Sequence, residues 1–492
     1  MTQKIIWFAF FSRIFVLLLQ CIANLVIPDH QANVFISPED PSLRKTNADF
    51  IIDKLLGGLK RWDSQYFIHI AQYGYTYENC LAFYPLFPLI VRYVAFVLNS
   101  ILGTIFNFHS ILLISASLVN LVVFIKSADM LHKLSLRILR SECKAYKSVI
   151  LYCVNPASIF FTAPYSESLL ALMSFYTMFK CTENETLRFG SIDILSAFPA
   201  GFSMISRSNG CVNLGFILYT SFKNHRIILP ILLLPLITSC VALSVTVIIA
   251  VMPFLLVQTY NYFKFCIHND HNLPEFLMNT EFVLPGVAES PWCNTSVPFS
   301  YSYVQSHYWD VGFLKYYRIK QIPNFALASP ILFLILFHCL CYVKNNLKLC
   351  LRHYSKGFGA NDPMMFVYVV HAIFLSTFCI LFVHIQVSTR LLASSSPILY
   401  WICSSKMNVG PTPTSDQNTI NEHFRRIGIG KRIPSHHLSI ANLEGVDNMY
   451  SKWNTFIISR RMPDFQSRLI QCYFLGYLMI GTVLFSNFYP WT

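Results

Sequence analysis

Charge is what this chain has least of. Only 12% of its 492 residues are Asp, Glu, Lys or Arg, where soluble domains carry about 25%. Hydrophobic residues make up 54%, too many for a water-facing surface, so a soluble globular protein is excluded. Other absences narrow the chemistry. There are fifteen cysteines but no Cys-x-x-Cys pair and no Cys/His cluster with zinc spacing. Many cysteines, Cys153, Cys240, Cys339 and Cys379 among them, lie inside apolar runs and behave there as small hydrophobes. No glycine-rich phosphate loop and no Asp-x-Asp pair is found, which weakens any reading based on a nucleotide-sugar. No fixed short repeat appears, and no polar stretch is long enough to hold a soluble core of its own.

Long apolar segments fill the space these absences leave. The chain reads as an all-α polytopic membrane protein with about eight to eleven spans. The first, 5–27, begins close to the N-terminus and lacks a small-residue cleavage site, so it reads as an uncleaved helix rather than a signal peptide. Arg13 interrupts it; snorkelling to a membrane surface is favoured over a role in a site. Residues 28–82 form a first large polar loop. Apolar stretches follow at 83–106, which is either a span or a re-entrant segment, and at 110–126. Residues 148–180 and 190–222 each read as two membrane segments meeting at a polar turn, Pro164-Tyr165-Ser166-Glu167 and Arg207-Ser208-Asn209-Gly210. The run 227–263 is broken by Pro230, Pro235 and Pro253, and a second large loop spans 264–321. Further spans are expected at 323–343, 364–386, 391–403 (the weakest) and 468–488. The domain plan is therefore a membrane region over 1–403, a polar, flexible cytosolic segment over 404–467, and a last helix with a short lumenal tail over 468–492.

The formal charge of +13 comes largely from basic stretches between spans, at 126–147 and 344–356. Lys and Arg concentrate on the cytosolic side of membrane proteins, so this charge needs no nucleic-acid partner. That assignment puts loops 28–82 and 264–321 on the lumenal side. Cys266 and Cys293 could then pair in an oxidising lumen. Asn294-Thr295-Ser296 becomes a usable N-glycosylation pattern, whereas Asn184-Glu185-Thr186 faces the cytosol and is expected to stay unused.

The same face gathers the candidate chemistry. Asp63 stands among aromatic residues in Lys60-Arg61-Trp62-Asp63-Ser64-Gln65-Tyr66-Phe67, ahead of a segment with helical apolar spacing. That helix is expected to lie in the interface with its aromatic face towards lipid or a membrane wall. The carboxylate suits a general base, or it caps the helix. Glu167 lies where it could bind a sugar hydroxyl or only form a turn. Arg207 and Arg390 suit a lipid phosphate, through the planar guanidinium fork, or they snorkel. His384 and Gln386 directly follow a span. The aromatic stretch 300–317, with Trp309 and Lys315, could stack on and hydrogen-bond a sugar, or form an interfacial belt.

An ordered series of short motifs then resembles one family. It includes Ile27-Pro28-Asp29-His30, Leu56-Gly57-Gly58-Leu59, Trp62-Asp63, Tyr165-Ser166-Glu167 and Arg207-Ser208-Asn209-Gly210. It continues with Pro291-Trp292-Cys293, Val311-Gly312-Phe313-Leu314-Lys315-Tyr316-Tyr317, Thr389-Arg390 and Pro490-Trp491-Thr492. The series runs nearly end to end and is similar to the GPI mannosyltransferase 2 family. The resemblance implies a GT-C type glycosyltransferase of the endoplasmic reticulum membrane. It further implies that the second mannose passes, in α-1,6 linkage, from dolichyl-phosphate mannose to the GPI-precursor glycolipid, with Asp63 as base. Substrate-binding residues would be Trp62, Glu167, Arg207, Trp309, Lys315, His384, Gln386 and Arg390; no metal or other cofactor is expected. Whether a small accessory membrane subunit joins is left open, as is another dolichyl-phosphate-sugar-dependent transferase. A lipid transporter or scramblase is the alternative from a different class; it predicts paired half-chains and polar residues at mid-membrane.

Overall fold

The computed structural model describes residues 2–183, 192–226, 233–267, 273–278, 282–286, 290–355, 364–407 and 465–491. The pattern at Asn184, Pro230 and most of the 404–467 segment lie outside the described residues. Within them the chain is helical, with no strand. Six helical stretches are long and apolar enough to cross a membrane, against the eight to eleven expected. The difference comes from segments that form shorter helices.

Helix α1, Thr2–Val26, is the first of the six. The basic stretch 126–147 is not a loop. Helix α5, Phe108–Leu139, runs on through it, and α6, Glu142–Cys153, takes up the rest. In the described part of the run 227–263, Pro253 does not break the helix: α10, Leu233–Tyr262, continues through it. Stretch 391–403 is not a span. It forms two short helices, α14 (Ser388–Ser395) and α15 (Ile398–Lys406), parted at Pro397 and almost wholly buried. The remaining long helices are α12 (Ile322–Ser355), α13 (Met364–Phe382) and α16 (Phe465–Ser486).

Arg13 does not snorkel. Its side chain is 1% exposed. Nη1 donates to the Ser158 carbonyl (2.7 Å) and Thr162 Oγ1 (3.1 Å), and Nη2 to the Cys153 carbonyl (2.7 Å) and Ser158 Oγ (3.3 Å). The guanidinium lies 4.0 Å from the centre of the Phe124 ring. Carbonyls at the last turn of a helix lack intrahelical partners, and α6 ends at Cys153 inside the protein. Arg13 supplies those donors from α1, which makes it an internal staple.

The polar loops are built on aromatic packing. After α2 (Asn47–Leu56), helix α3, Ser64–Tyr73, does not turn its aromatic face to lipid. Tyr66 stacks between Phe35 (4.3 Å) and Phe83 (4.4 Å), and Phe67 meets Phe87 edge-on. Helix α4, Leu86–Leu102, then leaves along the bundle. The second loop carries helix α11, Ser300–Trp309, and a Cys266–Cys293 disulfide. Glu78 clamps the two loops: it is 1% exposed and accepts from Trp292 Nε1 (2.9 Å) and the Tyr308 hydroxyl (2.8 Å). Full partnering is what lets a carboxylate be buried at acceptable cost.

His69 on α3 is completely buried, with Nδ1 2.8 Å from Ser37 Oγ and Nε2 2.6 Å from Thr76 Oγ1. Burial lowers its pKa to about 3. The folded state therefore binds the proton less well than the unfolded state. The resulting stability is fully present above the ordinary histidine value of about 6.5 and drains away as pH falls from there towards 3. Thermal unfolding of the detergent-solubilised protein should shift to lower temperature below about pH 6.5, and His69→Gln should flatten that slope. In the same assay Arg13→Ala should cost about 3 kcal/mol or more, because four acceptors lose their donor.

Candidate active site

The site is assembled where helices stop short. Helix α6 and helix α7, Glu167–Glu183, are too short to be complete spans and meet at a buried turn. Asn120 of α5 donates to the Ala163 and Tyr165 carbonyls and pins that turn. Glu167 opens α7, where a carboxylate suits the positive helix end. Helices α8 (Ile194–Met204) and α9 (Leu214–Arg226) flank the Arg207-Ser208-Asn209-Gly210 turn. Gly210 is required there, since a Cβ would come within 2.1 Å of the Ser203 carbonyl oxygen. Asn209 ties this turn to α14 through Ser395 Oγ (2.7 Å), and Tyr301 reaches Ser208 Oγ (2.8 Å).

Asp63 precedes α3 at the capping position, yet its carboxylate makes no capping bond. Trp62 before it has φ of +56°, a left-handed conformation that costs a non-glycine residue about 1 kcal/mol. The turn sends the Asp63 N–H to the Tyr165 hydroxyl (3.0 Å) and frees the carboxylate to face Arg390. Arg390 Nη1 lies 2.8 Å from Asp63 Oδ2 and 3.6 Å from Glu167 Oε1. Glu167 Oε1 is also bound by Arg207 Nη1. The four groups thus alternate in sign, Asp63, Arg390, Glu167, Arg207. Their side chains are 30%, 10%, 0% and 18% exposed, so access is from the Asp63 end.

Electrostatics keep this line charged. Burial would lower the Arg390 guanidinium, but Asp63 and Glu167 outweigh it and hold the pKa above its ordinary value. The guanidinium also lies over the Phe160 and Tyr165 rings, 5.1 and 5.4 Å from their centres. Its Nε and Nη1 have no aligned acceptor, and Glu167 Oε2 has no donor. Nη1 and Asp63 therefore attract as charges without a well-directed hydrogen bond, which leaves donors for an incoming anion. Burial, reinforced by Asp63, pushes the Tyr165 phenol far above its usual value, so it remains a neutral hydroxyl.

Other expected site residues lie apart from this line. His384 stacks on Tyr316 at 4.6 Å, and Gln386 accepts from the Tyr316 hydroxyl at 2.9 Å. Asn324 donates to the same hydroxyl (2.8 Å), so this cluster docks the start of α14 against α12. Burial holds His384 below its ordinary pKa. Lys315 is half exposed and pairs with Asp310 (3.1 Å). Trp309 meets Tyr66 and Phe83 edge-on, both at 5.9 Å, and Trp62 meets Phe488 at 6.2 Å. Asn294 is exposed beside the disulfide. Among the described residues no group of three or more His, Cys, Asp or Glu is placed to hold a metal ion. Sequence reasoning passed over Glu78 and the Tyr165 hydroxyl; a lone Glu in an aromatic-rich stretch was the available signal for the first.

Comparison with known proteins identifies the family. The family model "Mannosyltransferase (PIG-V)" matches residues 2–492. GPI mannosyltransferase 2 of Drosophila melanogaster is 34% identical, covering all of both chains. GPI alpha-1,6-mannosyltransferase 2 of Homo sapiens is 34% identical over all of this chain and 98% of its own. The solved arabinosyltransferase EmbB from Mycobacterium smegmatis aligns with 96% of this chain and 43% of its own at 12% identity and a TM-score of 0.38.

Glu167→Gln tests the alternating line directly. It should lower stability by about 3 kcal/mol, because two buried guanidinium groups lose their shared anion. A second change, Arg207→Gln, should return part of that loss in a double-mutant cycle read by thermal unfolding.

Proposed function

Since the chain belongs to the mannosyltransferase (PIG-V) family, and is thus a membrane glycosyltransferase of GPI-anchor biosynthesis, we propose the finer reaction. It adds the second mannose of the GPI precursor, in α-1,6 linkage, from dolichyl-phosphate mannose, on the lumenal side of the endoplasmic reticulum membrane. The observation that carries this reading is the uncapped, partly exposed Asp63 carboxylate set against buried Arg390. Relatives named as GPI alpha-1,6-mannosyltransferases support the acceptor and linkage. The disulfide and the exposed Asn294 in the second loop support a lumenal face.

The chemistry is a single displacement. The acceptor 6-hydroxyl attacks the anomeric carbon of the donor mannose while Asp63 takes the hydroxyl proton. The bond from that carbon to the phosphate oxygen breaks, and dolichyl phosphate leaves with the electron pair. A β-linked donor then gives an α-linked product. The leaving phosphate is already ionised and needs no proton, only positive charge aimed at it. Arg390 meets that need through donors that lack an aligned acceptor. Glu167 holds Arg390 and Arg207 from behind, so the guanidinium groups are oriented before the donor arrives. In this reading Arg charge does what a metal would otherwise do.

Asp63→Asn should reduce mannose addition at least about 100-fold while the protein still accumulates in membranes. Near-normal turnover would remove Asp63 as the base. Cells lacking the protein should accumulate the one-mannose GPI intermediate, and wild-type chain should clear it. Accumulation of a different glycolipid would instead favour another dolichyl-phosphate-sugar-dependent transferase.

A further inference from the structure

Residues 61–64 turn sharply ahead of α3. The Ser64 N–H donates to the Arg61 carbonyl (3.2 Å), so Trp62 and Asp63 are the two central residues of a tight turn. Trp62 takes φ of +56°, and Asp63 takes φ of −61° and ψ of −19°. A left-handed φ at the first central position is a place for glycine. Tryptophan is held there against its preference, and such a conformation persists only where its surroundings over-determine it.

The determinant lies 102 residues further along the chain. The Tyr165 hydroxyl accepts from the Asp63 N–H (3.0 Å) and donates to the Arg61 carbonyl (3.4 Å), so one oxygen bridges both sides of the turn. Burial keeps the phenol neutral, as this double role requires. The buried Ser64 hydroxyl braces the same carbonyl. Tyr165 is 0% exposed. Its ring is fixed by Phe160 (5.1 Å), Phe485 (5.7 Å) and Phe67 (5.9 Å), and its carbonyl by Asn120 (3.2 Å). Arg390 lies over the same ring, so a single side chain bears on both the base and its facing cation. Packing needs only the ring; the hydroxyl acts on the turn.

We propose that Tyr165 is a positioning residue for the transfer: its hydroxyl staples the 61–64 turn and so aims the Asp63 carboxylate at the acceptor hydroxyl. This rests on Asp63 acting as the base, as proposed above. Tyr165 is wholly buried and acts through Asp63 rather than on either substrate. A reacting group displaced by about 1 Å loses roughly 100-fold in rate.

Tyr165→Phe keeps the ring contacts and removes only the hydroxyl. The assay uses full-length protein in phosphatidylcholine vesicles, with dolichyl-phosphate mannose and a mannosyl-glucosaminyl phosphatidylinositol. The variant should lower kcat about tenfold or more and leave both KM values within about twofold. In the Asp63→Asn background no base is left to aim, so adding Tyr165→Phe should change the residual rate by less than about twofold. A wild-type kcat, a loss that appears in KM instead, or the same tenfold loss repeated in the Asp63→Asn background would each overturn the proposal; the last would make Tyr165 a general packing residue. If Tyr165→Phe does not accumulate, Ser64→Ala carries the test. It removes the other side-chain donor to the Arg61 carbonyl and should lower kcat at unchanged KM; a wild-type kcat there overturns the proposal. Near-normal turnover by Asp63→Asn alone removes the base and with it the reaction as proposed. An inactive Asp63→Asn beside a fully active Tyr165→Phe removes only the positioning role.

Discussion

The ion line Asp63, Arg390, Glu167, Arg207 is the constraint on which the rest of the structure depends. Each group comes from a different part of the chain, and each is held where a helix begins, ends or breaks. Buried charges of alternating sign tolerate little displacement, because removing one leaves its neighbours desolvated without compensation. The short helices α6, α7, α8 and α14 make sense in this light. A full-length span would carry the polar turns past the depth at which the four side chains meet. Arg13 and Asn120 then supply donors to carbonyls that the interrupted helices leave open, and Asn209 bridges its turn to the Ser395 hydroxyl.

The wall around this line is aromatic and the bonds that lock it are few. Phe35, Tyr66 and Phe83 form one stack, and Glu78 fastens the second loop over it through Trp292 and Tyr308. Stacked rings exclude water, and lower local dielectric strengthens every charge interaction behind them. Arg61 joins Asn24 Oδ1 (2.9 Å), Asp29 (2.8 Å), the Ser486 carbonyl (3.2 Å) and the Phe488 ring, so α1, the first loop and α16 share one anchor.

Much of this was legible in the sequence. Long apolar runs announced the membrane class, and the polar residues stranded between them (Asp63, Glu167, Arg207, Arg390) are those the fold brings into one line. What periodicity and composition could not show was pairing. Arg13 reads like a snorkelling residue because nothing local reveals that α6 ends with open carbonyls beside it. Basic residues at 126–147 read like a loop, although their long side chains sit readily on an extended helix such as α5. Pro253 reads like a break, but neighbouring helices inside a membrane bundle tolerate such a proline. Asp63 reads first as a cap and only second as a base, and the left-handed Trp62 turn shows its carboxylate directed away from the helix end.

The clamp at Glu78 has a consequence for how the chain is made. Its carboxylate is synthesised 214 residues ahead of Trp292 and 230 ahead of Tyr308. Arg61 waits longer still, 425 residues, for the Ser486 carbonyl. Until the second loop is made, the first loop therefore stands open at Glu78, which lacks the Trp292 and Tyr308 donors that bury it. Completion of the second loop, with its disulfide, is the event that closes it. The order of synthesis thus sets the order in which the buried acid gains its two donors.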